Sequence, residues 1–338
     1  MYYSPYNSNR YYDPASFQMM QEEKRGLKRT SNWLCWTLLV AMLLMTGLMI
    51  ACKYYLSAIG YTPVDSQSDF AGFTPELYYL AMNVAYVMGL AVPALIYFMV
   101  RRISLGEALP FERAGAVKTA ACVFFGAAVC MLANIPANFV VEIQDFFGFQ
   151  NNLDMPLTDD LPVLILYGIT VAVIPPIVEE LLFRGMVLHG LRKYGDGFAV
   201  VVSAILFGLY HGNFVQIVFA FFAGLVMALV VVKTGSLWTS ILIHFINNSI
   251  SFALEMIKRF VGDQAVNTAD FIIMSALMVL GTLSLIYLIV KDRHFFQTEG
   301  RNPIFPLGAR MRAAFANPGG VAVLIFALAT SIRSLFVS

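Results

Sequence analysis

PPIVEELLFRG, which occupies residues 175–185, is the segment from which both the fold and the chemistry of this chain can be read. It places two adjacent carboxylates, Glu179 and Glu180, and the basic residue Arg184 inside a long apolar run. Charged side chains are costly inside a membrane segment, so those that occur there usually have a function. Glu180 and Arg184 are four residues apart, and on a helix they share one face in the acid-before-base order that favours an ion pair. Glu179 lies about 100° around the helix from Glu180 and has no such local partner.

Pro175 and Pro176 stand just before the two glutamates. Proline cannot continue a helix, but it is favoured in the first turn of one. The sequence therefore predicts that a helix restarts here, with Glu179 in its first turn and near the positive end of the helix dipole. Two interpretations of the charged residues stay open at this point: a structural ion pair with one unpaired carboxylate, or a functional site.

The composition is that of an integral membrane protein. Of the 338 residues, 59% are hydrophobic and 13% are charged, against about 45–50% and 25% in soluble domains. The net charge of +1 argues against a nucleic-acid partner, which would need a basic surface. No signal peptide is expected, because residues 1–30 hold no apolar core. The four cysteines form no CxxC pair and are predicted to be apolar packing residues. They are Cys35, Cys52, Cys122 and Cys130.

Apolar runs near the length that crosses a bilayer, about 20 residues, recur along the chain. We predict an all-α fold, a polytopic transmembrane helical bundle of about eight or nine spans. The fifth run is short, and eight spans become nine if the last run crosses the membrane. The predicted spans are 33–56, 77–100, 119–137, 161–188, 198–211, 214–232, 237–257, 271–290 and 321–337.

Loops rich in Lys and Arg alternate with loops that lack them, apart from Lys53 and the pair Lys258–Arg259. Because basic loops stay in the cytoplasm, this alternation predicts a multi-pass protein with a cytoplasmic N-terminus. The 101–118 loop would then be cytoplasmic and the 139–160 loop would face outwards. If the protein is bacterial, we expect it in the plasma membrane. The lipid bilayer is then its first expected partner.

His211 and His244 are the two histidines that the apolar runs contain or end on. Small residues recur every fourth position in the fifth and sixth spans, a pattern that lets two helices approach closely. We expect these spans to pack together and to hold His211 against protein, although a histidine at the membrane surface is the alternative. His294 is predicted to be solvated and His189 interfacial. The small residues are Ala204, Gly208 and Gly212, then Ala220, Gly224 and Ala228.

His244 lies inside the seventh span, with Asn247 and Asn248 three and four residues further on. An imidazole and amides in hydrocarbon need hydrogen-bond partners. They could join helices without any catalytic role, or they could belong to a site. With Glu179, Glu180, Arg184 and His211 they supply the groups that activate water and stabilise an oxyanion. No HExxH or GxSxG motif offers another hydrolytic site.

Three short motifs in this order make the hydrolytic interpretation specific. They are EExxxR at Glu179, Glu180 and Arg184, FxxxH at Phe207 and His211, and HxxxN at His244 and Asn248. Together they resemble the motifs of the CAAX-protease and bacteriocin-processing family of intramembrane proteases, also called the CPBP or Abi family. KTGSLW at residues 233–238 is similar to the family's connecting segment. The resemblance covers about residues 161–251.

The resemblance implies a membrane-embedded endopeptidase that hydrolyses a peptide bond of a membrane-associated protein or peptide. Glu179 would activate water with help from His211, His244 and Asn248 would stabilise the oxyanion, and Glu180 with Arg184 would support the helix. The family has been described both as glutamate-dependent, which needs no cofactor, and as metalloproteases. Composition does not choose between the two, because Glu179, His211 and His244 could equally be three ligands of Zn²⁺. We lean slightly towards the metal-free mechanism, because Glu179 can accept a proton without a metal.

The division of the chain follows from the resemblance. We predict a polar, mobile cytoplasmic tail (1–30), N-terminal transmembrane helices (31–140), a CPBP-like catalytic core (161–257) and C-terminal transmembrane helices (268–338).

An ion- or proton-coupled transporter is the alternative from another class, since broken helices with buried polar groups also serve transport. A catalytically silent immunity or scaffold protein of the same family is the third. If the site is catalytic, spans four, five and seven must converge on one cavity, which we expect to open towards the cytoplasmic half.

Overall fold

Long apolar helices make up almost all of the structure, a computed structural model that describes residues 2–3, 11–12, 14–61, 70, 72–112, 114–149, 155–297 and 306–336. The first helices are α1 (Pro14–Ala58), α2 (Pro75–Arg101), α3 (Leu105–Ala108) and α4 (Ala116–Phe146). A continuous helical span follows, made of α5 (Leu161–Gly168), a π-helical segment (Ile169–Val173), α6 (Ile174–Glu180), a second π-helical segment (Leu181–Leu188) and α7 (His189–Arg192). The last helices are α8 (Asp196–Tyr210), α9 (Phe214–Thr234), α10 (Leu237–Phe260), α11 (Asp263–Lys291), α12 (Leu307–Phe315) and α13 (Pro318–Ser334).

Seven of the described helical segments are long and apolar enough to cross a membrane. An eighth forms if α12 and α13, which meet at a bend of 76°, count as one broken span. The fifth predicted span is α8, an apolar helix of 15 residues, too short to cross the bilayer straight. The prediction of an all-α polytopic bundle is confirmed. Two strands of two residues, β1 (Tyr2–Tyr3) and β2 (Tyr11–Tyr12), pair antiparallel at the N-terminus.

The predicted mobile tail is wrong for residues 14–30, which form the first turns of α1. Met20 and Leu27 are buried there, and the Thr30 hydroxyl lies 3.3 Å from the Tyr194 hydroxyl. The polar composition suggested disorder, but apolar side chains in this segment are buried, and α1 packs against α12 and α7. Residues 1–13 lie outside the described residues except for the two short strands.

The prolines do not restart the helix, and the prediction that Glu179 lies in a first turn is wrong. The span runs unbroken from residue 161 to residue 192, and Pro175 and Pro176 follow the π-helical segment 169–173. Glu179 therefore has helix on both sides and no free N-terminal dipole beside it. A π-helical segment shifts the hydrogen-bond register, which is one way a helix accommodates residues that lack an N–H.

The close packing of α8 on α9 is confirmed, and it depends on glycine. A Cβ atom on Gly208 would lie 2.7 Å from the carbonyl oxygen of Ile217. One on Gly224 would lie 3.1 Å from the Phe207 ring and 3.2 Å from the Cα of Ala204. The absence of side chains lets the two backbones approach. This contact fixes where the C-terminal end of α8 delivers His211.

The loops that carry most of the basic residues meet at one end of the bundle. Lys118 donates to the carbonyl of Lys233, and Lys233 donates to the carbonyl of His294. We call this the basic end. At the opposite end Arg259 bonds to Asp159 at 2.5 Å, next to the 155–160 segment.

All four cysteines are free, as the sequence predicted. Three of them are buried in the bundle, and Cys52 is partly exposed. Buried thiols of this kind act as small apolar side chains. The bundle is therefore held by packing and internal hydrogen bonds.

Candidate active site

A cavity of about 700 Å³ lies between the helices of the bundle, and α1, α2, α4, α8, α9, α10 and α13 contribute to its wall together with the 161–192 span. Spans four, five and seven do converge on it. Its polar lining includes Glu179, His211, His244, Asn247 and Asn248. Glu180 and Arg184 lie directly behind this wall and are fully buried. The structure thus gathers around one space all six predicted site residues, which are Glu179, Glu180, Arg184, His211, His244 and Asn248.

Glu179 is only 2% exposed, yet it lines the cavity. Its Oε1 atom accepts a hydrogen bond from the Tyr86 hydroxyl on α2. Its Oε2 atom has no hydrogen-bond partner among the described residues and lies 4.0 Å from Nε2 of His244. One carboxylate oxygen is therefore fixed, and the other is available to a water molecule or a substrate.

Glu180 bonds to both Arg184, its predicted ion-pair partner, and His244, for which no bond to Glu180 was predicted. Its Oε1 atom lies 2.9 Å from Nη1 of Arg184, the predicted ion pair four residues along the helix. The same oxygen accepts a hydrogen bond from Nδ1 of His244 at 3.0 Å. Because the carboxylate can only accept, the Nδ1 atom of His244 carries the proton. The pairing orients the ring so that Nε2 faces Glu179.

Phe207 is the aromatic centre of the site. Its ring packs edge-on against the rings of His211 and His244, with centroid separations of 5.0 and 5.9 Å. The Arg184 guanidinium lies 4.4 Å from the ring centroid and also donates to the carbonyl of Gly224. The first position of the FxxxH motif is thus a packing residue that spaces the two imidazoles and covers the buried cation.

His211 is the C-terminal cap residue of α8. Its Nδ1 atom donates to the carbonyl of Phe207 at 2.8 Å. In the neutral ring this leaves Nε2 as an acceptor. The turn that follows contains Gly212 with φ of +59°, where a Cβ atom would lie 2.6 Å from the hydroxyl oxygen of Thr330. The chain can reverse there only because this residue has no side chain.

Asn248 uses part of its side-chain amide to bond to the backbone of the neighbouring span. Its Nδ2 atom donates to the carbonyl of Val171 at 2.9 Å, and its oxygen accepts from Asn247. An α-helix would pair the Val171 carbonyl with residue 175 and a π-helix with residue 176. Both are proline, so neither register offers an N–H, and Asn248 supplies the missing donor. One amide hydrogen of Asn248 remains.

The three zinc candidates do not form a ligand set in this arrangement. Within the described ranges, no group of three His, Cys, Asp or Glu side chains is placed to hold a metal ion. His244 and His211 each use Nδ1 for a hydrogen bond, to Glu180 and to the carbonyl of Phe207, and each keeps Nε2 available. Metal-ligating histidines also have this arrangement. The mechanism below is derived for the chain's own groups.

The prediction that the cavity opens towards the cytoplasmic half is wrong for the topology predicted with it. The lining extends to Met155 and Gln216, near the end of the bundle opposite the basic end. None of the described lining residues comes from the basic loops at 101–118, 189–197 or 233–236. The depth of His211 explains the error. Since α8 is short and ends at Tyr210, its C-terminal tip lies within the bundle and points away from the basic end.

Two further features of the site were missed from the sequence. Tyr86 on α2 and Tyr210 on α8 both line the cavity, and the Tyr86 hydroxyl donates to Glu179. Tyr86 belongs to no motif and lies 93 positions from Glu179, so no local pattern marked it. Tyr210 precedes His211 directly, and that position was the one available signal.

The remaining histidines lie outside the cavity. His294 is exposed and bonds through Nδ1 to Gln297 at 2.7 Å, as expected for a solvated residue. His189 is partly buried near the basic end, in α7. Neither contributes to the site.

Comparison with known proteins places the site within a matched region. Residues 161–250 match the family described as type II CAAX prenyl endopeptidase Rce1-like. A Bacillus subtilis (strain 168) protein named "Putative membrane peptidase YdiL" is 23% identical over 121 residues, which is 35% of this chain and 50% of that protein. The chain thus spans about half the length of this curated relative. No solved structure matched the chain.

Proposed function

The chain belongs to the CAAX-protease and bacteriocin-processing family of membrane proteases through residues 161–250, and on this premise we propose that it is an intramembrane endopeptidase with Glu179 as its base. The substrate is a membrane-associated peptide or protein. The observation that carries the proposal is the state of the Glu179 carboxylate. It is buried, it faces a cavity of substrate size, and one oxygen is unpaired beside an imidazole held by Glu180.

The reaction begins with a water molecule in the cavity. Oε2 of Glu179 takes one proton from the water as its oxygen forms a bond with the scissile carbonyl carbon. His211 assists by accepting a hydrogen bond from the same water at its free Nε2. The protonated Glu179 then gives the proton to the amide nitrogen of the leaving group. The carbon–nitrogen bond breaks, and a carboxylic acid and an amine leave the site.

The tetrahedral intermediate carries a negative charge on the former carbonyl oxygen. Two donors are available to it on α10: Nε2–H of His244 and the free amide hydrogen of Asn248. Because Nδ1 of His244 already donates to Glu180, a donor at Nε2 requires the doubly protonated ring. The Glu179 and Glu180 carboxylates lie 4.0 and 3.0 Å from its two ring nitrogens, and with Arg184 as the second cation these four charges sum to zero. Removing one donor of this kind typically costs about 10²–10³ in kcat.

Glu180 and Arg184 position these groups without touching the substrate. Glu180 orients His244, and Arg184 neutralises Glu180 while it bonds to the backbone of α9. We infer that residues 161–257 form the catalytic core and that the flanking helices enclose it. The N-terminus would lie in the cytoplasm, and with that topology the substrate would enter from the extracytoplasmic side.

The test uses the purified protein in lipid nanodiscs and a mixed-sequence pool of synthetic amphipathic peptides. Mass spectrometry reads new peptide termini as they form. We expect cleavage by the unaltered protein and by His294→Ala, whose side chain is on the surface, and at least a hundredfold slower cleavage by His244→Ala. A transporter or a silent scaffold protein would produce no new termini. Equal cleavage by the two histidine variants would rule out the role given to His244.

A further inference from the structure

The Glu179 carboxylate is held by a residue from outside the region matched to the family. Tyr86 lies on α2, and its hydroxyl donates to Oε1 of Glu179. No other side chain within the described part of the chain donates a hydrogen bond to Glu179. Arg184 uses its Nη1 for Glu180, and His244 stays 4.0 Å from the other oxygen. The position of the proposed base therefore depends on one contact between α2 and α6.

The direction of the hydrogen bond between Tyr86 and Glu179 follows from the carboxylate, which can only accept, so the Tyr86 hydroxyl is the donor. Tyr86, Tyr210 and Glu179 all line the cavity, from α2, α8 and α6.

We propose that Tyr86 is the positioning residue of Glu179, fixing Oε1 so that Oε2 faces the cavity and its water. This proposal deepens the proposed function and depends on it. Tyr86 does not exchange protons during the reaction. When Glu179 takes a proton on Oε2, its Oε1 atom becomes a carbonyl oxygen and still accepts from Tyr86. The carboxyl group thus keeps one orientation from proton uptake to proton release.

Removal of the Tyr86 hydroxyl leaves the ring packing in place and frees the carboxyl group to rotate. A base displaced by about 1 Å can lose on the order of 10²-fold in rate. We therefore expect Tyr86→Phe to lower kcat by roughly 10–100-fold while KM stays within about twofold, since the hydroxyl holds the base and not the substrate.

Tyr79 offers a matched control on the same helix. It is fully buried, and its hydroxyl donates to the carbonyl of Pro156 at 2.5 Å. It lies two turns before Tyr86 and does not line the cavity. Tyr79→Phe removes an equivalent buried hydroxyl from α2 and should leave kcat within about threefold of the unaltered protein.

The experiment combines kinetics with infrared difference spectroscopy on the full-length protein in nanodiscs. Glu179→Gln identifies the band of the Glu179 carboxyl group in the spectrum. Tyr86→Phe should shift that band, and Tyr79→Phe should not. Kinetics use the pool peptide that the unaltered protein cleaves fastest.

The two measurements separate failure of this inference from failure of the proposed function. An unshifted Glu179 band in Tyr86→Phe overturns the inference, whether or not the protein cleaves peptides. A shifted band with an unchanged kcat also overturns it, because the contact would then have no effect on the base. If the unaltered protein cleaves no peptide, the proposed function fails, and the band still reports whether Tyr86 holds Glu179.

Discussion

At the scale of single residues, the buried ion pair is the feature that the sequence predicted best. The ion pair could be predicted from the spacing of Glu180 and Arg184 alone, because helical geometry brings together residues four positions apart. The bond from Glu180 to His244 could not be predicted in the same way. It joins residues 64 positions apart and depends on how two spans pack. The same holds for Tyr86, whose contact with Glu179 crosses helices.

Arg184→Ala should destabilise the protein by about 3–5 kcal/mol, the cost of leaving a buried charge without its partner. Both side chains of the pair have no exposed surface. Arg192 with Asp196 is the matched control, an ion pair of the same spacing whose arginine side chain is 40% exposed. Arg192→Ala should cost about 0–1 kcal/mol.

Chemical unfolding in detergent measures both arginine variants against the unaltered protein. A loss of stability confined to Arg184→Ala is the expected outcome. Equal losses in the two variants would mean that burial of the Glu180–Arg184 pair has no energetic effect.

At the scale of elements, the positions of the helices followed from the apolar runs, and the path of the 161–192 span did not. The paired prolines were interpreted as a restart because proline interrupts the local hydrogen-bond ladder. The interruption is real at Val171, but a side chain of α10 repairs it. Local sequence carries no signal of a donor that arrives from another span.

Asn248→Ala should cost about 1–3 kcal/mol, because the Val171 carbonyl then stays unpaired inside the bundle. Pro175→Ala returns a backbone N–H four residues beyond Val171 and should remove that cost. The double variant Asn248→Ala/Pro175→Ala is therefore expected to be more stable than the two single effects predict.

The double-mutant cycle is measured by chemical unfolding, and strict additivity would show that Asn248 does not cap Val171. Asn134→Ala is the control. Asn134 donates to the carbonyl of Met131, which has an N–H of its own helix available at residue 135. This change should cost less than Asn248→Ala and should be additive with Pro175→Ala.

At the scale of the whole molecule, hydropathy predicted the bundle and its membrane location. Eight or nine spans were predicted, against seven in the described residues, or eight if α12 and α13 form one span. The direction of the cavity was not predictable, because it depends on where the short helix α8 ends inside the bundle. Orientation in the membrane now decides the side from which a substrate enters. The cavity lies away from the basic end, so a cytoplasmic basic end means entry from outside.

Cysteine labelling of intact cells tests this orientation. Phe147→Cys and Gly106→Cys place thiols at exposed positions on opposite ends of the bundle. Cys52→Ala removes the one native cysteine that is not buried. A membrane-impermeant maleimide should label Phe147→Cys directly and Gly106→Cys only after permeabilisation. The opposite pattern would invert the topology and put the cavity mouth in the cytoplasm.

The role of Glu179 as the base is tested by the rate at which Glu179→Gln cleaves a peptide that the unaltered protein cleaves. Glutamine keeps the volume and can still accept from Tyr86, but it cannot take a proton from water. Glu255→Gln is the matched control, since Glu255 also accepts from a tyrosine, Tyr167, and lies outside the cavity lining. We expect Glu179→Gln to fold normally and to lower kcat by about 10²–10⁴-fold, with Glu255→Gln near the unaltered rate. Full activity in folded Glu179→Gln would show that Glu179 is not the base.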